Sequence, residues 1–142
     1  MTNGRELLIA GGFVSIGRWR VENGEAVFAG EAPKERGVYA FIFNGEVVYV
    51  GCAQDGLSSR MRSYRRNQLR QESRRPVHAA VAEAIWNARE IEVLAIRGPD
   101  DISWNGMPID VIAGLEEGLI RRLSPIWNRR GVDAMHRNND LP

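Results

Sequence analysis

Three kinds of side chain in this sequence could do chemistry together: two tyrosines beside glycines, a run of arginines, and one glutamate lodged among apolar residues. The tyrosines stand in Gly37-Val38-Tyr39 and Tyr49-Val50-Gly51. A tyrosine hydroxyl can hold or release a proton, but with an ordinary pKa of about 10 it needs a nearby cation to act as a base. Aromatic residues in paired strands are also common core contacts. Residues 58–75 carry seven arginines against the single acid Glu72, a balance of +6 in a chain whose net charge is +1. The flanking segments 1–57 and 76–142 carry −2 and −3. A concentrated cationic stretch on a nearly neutral protein is the footprint of a polyanion-binding face, and a solvated helix face has the same composition. Lys34 is the sole lysine, a bias that either bidentate phosphate recognition or a GC-rich genome produces.

The glutamate is singled out by its spacing. Ile112, Leu115, Leu119, Ile120 and Leu123 form an apolar stripe at helical period, and Glu116 projects from within it. A carboxylate there is costly unless it reaches water or finds a partner. It lies either at the stripe's edge or in a role as metal ligand or catalytic acid. Glu117 instead faces Arg121 four residues on, an ordinary surface pair.

These side chains need elements to hold them. Ala40-Phe41-Ile42-Phe43 and Glu46 to Val50 read as strands joined by Asn44-Gly45, the linker a type I′ turn prefers. The hairpin brings Tyr39 and Tyr49 together near its open end. An earlier hairpin spans residues 13–29 and turns at Asn23-Gly24; Trp19 and Phe28 within it either extend the core or cradle substrate. Leu57, Met61 and Tyr64 mark the buried side of a helix from Leu57 to about Arg70, with Arg60 bordering that side. A second helix runs from about Val77 to Ala88, then a strand over Ile91–Ile96, then a loop rich in turn formers. The last helix starts from Asp110 as N-cap and ends before Pro125.

In this order the two tyrosine strings, Arg60, Glu116 and the ending Pro125-Ile126-Trp127-Asn128 resemble the GIY-YIG nuclease superfamily over about residues 37–130. Each motif alone is short; the five in sequence are specific. The resemblance implies an α/β domain with a small, largely antiparallel three-stranded sheet flanked by helices. Residues 1–36 would then be an N-terminal β-hairpin extension and 131–142 a tail. It also implies a metal-dependent endonuclease that hydrolyses phosphodiester bonds of DNA, duplex or branched, with one Mg2+ or Mn2+ ion held by Glu116. A hard cation of that kind needs few protein ligands.

The same resemblance implies a tyrosine near the attacking water; of the two, Tyr39 is favoured as base with Tyr49 orienting, and the reverse assignment stays open. It sets Arg60 on the phosphate and has Asn128 support the region through hydrogen bonds. His78 stands where homing-type members carry a histidine; the plain alternative is a surface residue at a helix start. Arg62, Arg65, Arg66, Arg70, Arg74 and Arg75 would contact nucleic acid. Two departures stand out: an extra loop residue at about Gly56, and Cys52 where relatives carry lysine. The alternatives are a catalytically inactive nucleic-acid-binding module of the same fold, and a purely structural or protein-interaction domain.

Length and composition bound the rest. At 142 residues, 44% hydrophobic and 26% charged, the chain reads as one globular domain. Cys52 is the only cysteine, which leaves no intrachain disulfide and no thiolate zinc cage. The apolar run Leu7–Ala10 is too short for a signal peptide or a membrane span, so the expected compartment is the cytoplasm. No separate specificity domain is visible, and selectivity is left to a partner, a homodimer or the shape of the substrate.

Overall fold

The computed structural model describes residues 3–70 and 76–129, the side chains at 66–70 and 76–79 excepted. The elements in chain order are α1 (Gly4–Ala10), β1 (Val14–Glu22), β2 (Glu25–Gly30), β3 (Gly37–Phe43), β4 (Glu46–Ala53), α2 (Leu57–Arg70) and α3 (Pro76–Ala88). They continue with β5 (Glu90–Arg97), the two-residue strands β6 (Ser103–Trp104) and β7 (Met107–Pro108), and α4 (Val111–Leu123). The motif hairpin turns at Asn44 and Gly45 with φ of 53° and 79°, as a type I′ turn demands. Asp110 caps α4 by accepting a hydrogen bond from the Ala113 N–H at 3.1 Å.

The main sheet has five strands in the order β2-β1-β5-β3-β4, with every neighbouring pair antiparallel. This corrects the three-stranded expectation. The first hairpin does not extend beside the sheet; β1 pairs with β5, from Val14 opposite Ala95 to Arg20 opposite Glu90. The physical reason lies in β5. Its Ile91, Val93 and Leu94 are fully buried, so the strand needs a partner on each side as well as cover on each face. Trp19 and Ala26 of the hairpin then join the same core as Tyr39 and Phe41. Trp19 and Phe28 pack on each other at 5.4 Å between ring centroids, so they extend the core.

Alternation along β3 divides the interior in two. Tyr39 and Phe41 face α2 and α3 with Leu57, Met61, Tyr64, Val81 and Ile85. Val38, Ala40 and Ile42 face α1 and α4, where Leu8 and Ile112 close the layer. α1 itself was not legible as a helix. Its N-cap Asn3 accepts from the Glu6 N–H at 2.8 Å, and burial of Leu8 docks it. Among the described residues no helix is long and apolar enough to cross a membrane.

Candidate active site

The site is built around Gly51, near the C-terminal end of the motif hairpin's outer strand. Tyr39 on β3 lies opposite Gly51 on β4. A Cβ on Gly51 would come within 2.6 Å of the Tyr39 ring, so only glycine lets that ring lie across the strand. Gly37 answers a similar need two residues earlier. A Cβ there would drive into the Ile96 carbonyl of β5 and lie 3.0 Å from Leu57. The glycine of each motif therefore clears room for its neighbours.

Three tyrosines meet in this space. Tyr39 and Tyr49 have ring centroids 6.1 Å apart, and Tyr64 of α2 stands edge-on to Tyr39 at 6.2 Å. The Tyr39 and Tyr64 hydroxyls hydrogen-bond to each other, with the Tyr49 ring beside that of Tyr39. Phe41 contacts all three rings and Trp127 besides. Tyr39 is 1% exposed and Tyr49 6%. Burial pushes the Tyr39 and Tyr64 hydroxyls well above their ordinary pKa, and Tyr49 upward as well. The Arg60 guanidinium pulls all three back toward ionisation.

Arg60 on α2 and Glu116 on α4 act electrostatically on this cluster from helices packed on opposite faces of the sheet. Arg60 sits one turn into α2, whose first N–H groups are taken by the connector: Leu57 donates to Glu35 O at 2.9 Å and Ser58 to Pro33 O at 2.7 Å. Glu116 is half-buried on α4 and acts electrostatically on Tyr39, Tyr49 and Cys52. Burial, then the nearby Glu116 carboxylate, pushes the Cys52 thiol up to about 11. Cys52 is therefore a neutral neighbour at ordinary pH. Glu117 is exposed and pairs with Arg121 at 3.0 Å, the surface pair its spacing foretold.

Asn128 closes the site from below. It is 8% exposed, and its amide grips one residue of β4 at both backbone groups. Oδ1 accepts from the Val50 N–H at 2.8 Å, and Nδ2 donates to the Val50 carbonyl at 2.8 Å. Val50 lies between Tyr49 and Gly51, so the grip acts on the strand at the site itself.

The donor set accommodates only a lightly anchored ion. No group of three or more His, Cys, Asp or Glu able to cage a metal exists among the described residues. One accessible carboxylate with phenol oxygens nearby suits Mg2+ or Mn2+, which keep most of their shell as water and phosphate oxygen. Glu116 fits that part.

Other expected residues fall elsewhere. Arg62 and Arg65 are exposed on α2, and Arg65 approaches Glu25 of β2 at 4.0 Å, directing it toward the first hairpin. Arg74 and Arg75 lie outside the described residues, as do the side chains of Arg66, Arg70 and His78. Sequence reasoning placed Tyr64 in the core without its hydroxyl contact. Its position four residues after Arg60, on the same side of one helix, was the available signal.

No family model and no curated protein matches the sequence. Solved structures do match. A mutant of bacteriophage T4 EndoII shares 21% identity over 88% of this chain and 98% of its own, with TM-score 0.69. The restriction endonuclease HPY188I, in complex with product DNA, shares 12% identity over 97% of this chain and 82% of its own, with TM-score 0.57. The GIY-YIG N-terminal endonuclease domain of UvrC from Thermotoga maritima, bound to magnesium, shares 28% identity over 68% of this chain and 85% of its own. Its TM-score is 0.46, too loose an overlap to bear on the site. With the two tyrosine motifs paired across β3 and β4, the chain has the GIY-YIG nuclease fold.

Proposed function

We propose that the chain is a metal-dependent endonuclease that hydrolyses phosphodiester bonds of DNA. What supports this reading is that Arg60 and Glu116, from two helices, both act electrostatically on Tyr39 and Tyr49, which stand together on β3 and β4. DNA as the substrate is supported by HPY188I, a restriction endonuclease of this fold seen with product DNA.

In this reading Glu116 holds the ion and the Arg60 guanidinium binds the scissile phosphate. A bound Mg2+ or Mn2+ would offset charge that builds on the phosphate as the bond breaks. Tyr39 takes a proton from the attacking water. With Tyr64 donating, their shared hydrogen bond favours the ionised form of Tyr39 and holds the proton on Tyr64. Arg60 acts in the same direction. Burial opposes both, so Tyr39 is protonated in the resting protein. It must first release that proton to bulk solvent, a loss that a cation bound beside it would favour, before it can accept the water's. Tyr49 orients the attack, and Asn128 holds Val50 so that the two tyrosines keep their spacing.

The test is digestion of plasmid, branched and single-stranded DNA and of RNA, with and without Mg2+ or Mn2+. Ion-dependent cleavage of DNA lost on chelation supports the reading. Salt-sensitive binding without cleavage would instead mark a nucleic-acid-binding module of the same fold.

A further inference from the structure

We propose that Gln54 is a positioning residue for Glu116, the second of two side-chain clamps that pin α4 along β4. The proposal rests on the reading of Glu116 as the ion's ligand. α4 lies on the sheet through Ile112, with Leu115, Leu119, Ile120 and Leu123 packed partly buried around it. Apolar contact is non-directional, so this interface holds the helix down without fixing how far along the strand it sits. Polar contacts beyond the two ends of the helix supply that. After the C-terminus, Asn128 grips Val50. Before the N-terminus, Asp110 uses its two oxygens separately: Oδ1 caps the helix at the Ala113 N–H, 3.1 Å, and Oδ2 accepts from Gln54 Nε2 at 2.8 Å.

Gln54 immediately follows β4. Its Oε1 accepts from Arg36 Nε at 3.1 Å and Nη2 at 2.6 Å. Arg36 immediately precedes Gly37 and also approaches Asp100 at 3.6 Å and Asp110 at 3.7 Å. One amide therefore ties the start of β3, the end of β4 and the cap of α4. An amide accepts and donates through two separate fixed atoms; an ionised glutamate could not donate to Asp110, and lysine could not accept from Arg36. Positions 50 and 54 bracket Cys52, the residue of β4 on whose thiol Glu116 acts. The two clamps thus stand on either side of the strand residue that feels Glu116. Because the Gln54 clamp is exposed, its loss should hardly move overall stability.

The experiment compares the full chain with Gln54→Leu, Asp110→Asn and the double variant. Asparagine still caps a helix but has no second oxygen for Gln54. Three quantities are measured: Mn2+ affinity by electron paramagnetic resonance, the iodoacetamide alkylation rate of Cys52 in metal-free protein, and the melting temperature. Each single variant is expected to weaken Mn2+ binding by about tenfold and to speed alkylation by roughly twofold or more as α4 shifts off Cys52. Melting should stay within about 2 °C of wild type. The double variant should be no worse than either single one, because both remove the same bond. Wild-type alkylation in Gln54→Leu, or additive losses in the double variant, would overturn the clamp. If the wild-type protein binds no Mn2+, the ion-ligand reading of Glu116 falls, and the alkylation rates alone decide on the clamp.

Discussion

Tyr39 and Tyr64 hydrogen-bond through their hydroxyls across the core, from a strand and a helix 25 residues apart in sequence. Both hydroxyls are held well above their ordinary pKa, chiefly by burial. An unfolded tyrosine titrates near 10, so above that pH the folded chain binds these protons more tightly than the unfolded one. Stability from the pair is complete below about pH 10 and is lost as pH rises through the folded values. Urea unfolding between pH 7 and 11.5 should show a plateau followed by a steep fall. Tyr64→Phe should cost about 1 kcal/mol at pH 7 and make the alkaline fall shallower. A decline already marked at pH 8.5 would point to other groups.

Glu116→Gln should abolish ion-dependent cleavage while DNA binding and the melting temperature stay near wild type. Glu117→Gln removes only an exposed ion pair with Arg121 and should cut normally. Cleavage assays on the two variants side by side decide the matter, and the reverse outcome would move the ion to Glu117.

Arg60→Ala should lower kcat by more than it raises KM, since a contact made mainly as the phosphate bond breaks contributes little to ground-state binding. Steady-state kinetics and filter binding separate the two. Weaker binding with unchanged kcat would place Arg60 among the backbone contacts.

Replacing Arg65, Arg66 and Arg70 together by glutamine tests the cationic helix. If all three neutralise duplex phosphates, the log–log salt slope of binding should become shallower by roughly 2–3 units, from about 0.9 per contact. All DNA sequences should weaken alike, because backbone contacts carry no sequence information. The Arg65 approach to Glu25 gives a sharper expectation: Glu25→Gln alone should strengthen DNA binding slightly. An unchanged slope in the triple variant would mean that DNA lies elsewhere.

Asn128→Ala should destabilise the chain by roughly 2–4 kcal/mol, because it leaves the Val50 N–H and carbonyl without their partner in a buried strand. Denaturant titration reads this directly. A loss of cleavage with unchanged stability would mean that Asn128 touches substrate instead of holding β4.

What was legible in the sequence was local. The Asn44-Gly45 turn, the helix from Leu57, the Asp110 cap and the Glu117–Arg121 pair all depend on residues within a turn or two of each other, where spacing alone carries the information. The misses were contacts between distant segments. The pairing of β1 with β5 joins residues 70 or more positions apart, as with Arg20 and Glu90, and no local pattern announces it. The Tyr64 hydroxyl contact and the Gln54 link to Asp110 likewise exist only once strand and helix are packed. α1 is seven residues long and gains its helix from docking Leu8, not from intrinsic propensity. The β6–β7 hairpin was missed for a different reason. Its Asn105-Gly106 turn, with φ of 53° and 77°, carried the same signal as the others, but the strands on either side are only two residues long.

The grip of Asn128 on Val50 has one more consequence. β4 is the last strand on its side of the sheet, and an outermost strand normally leaves a row of unpaired N–H and carbonyl groups on which another molecule's strand can add. At Val50 that row is already occupied, by a side chain that imitates a neighbouring backbone for a single residue. Nearby, the register between β3 and β4 shifts at Phe41 and Ile42, an irregularity that bends and twists a strand. An incoming strand would have to break off at Val50 or displace Asn128. The residue that steadies the candidate site thereby also guards the sheet's rim against self-association.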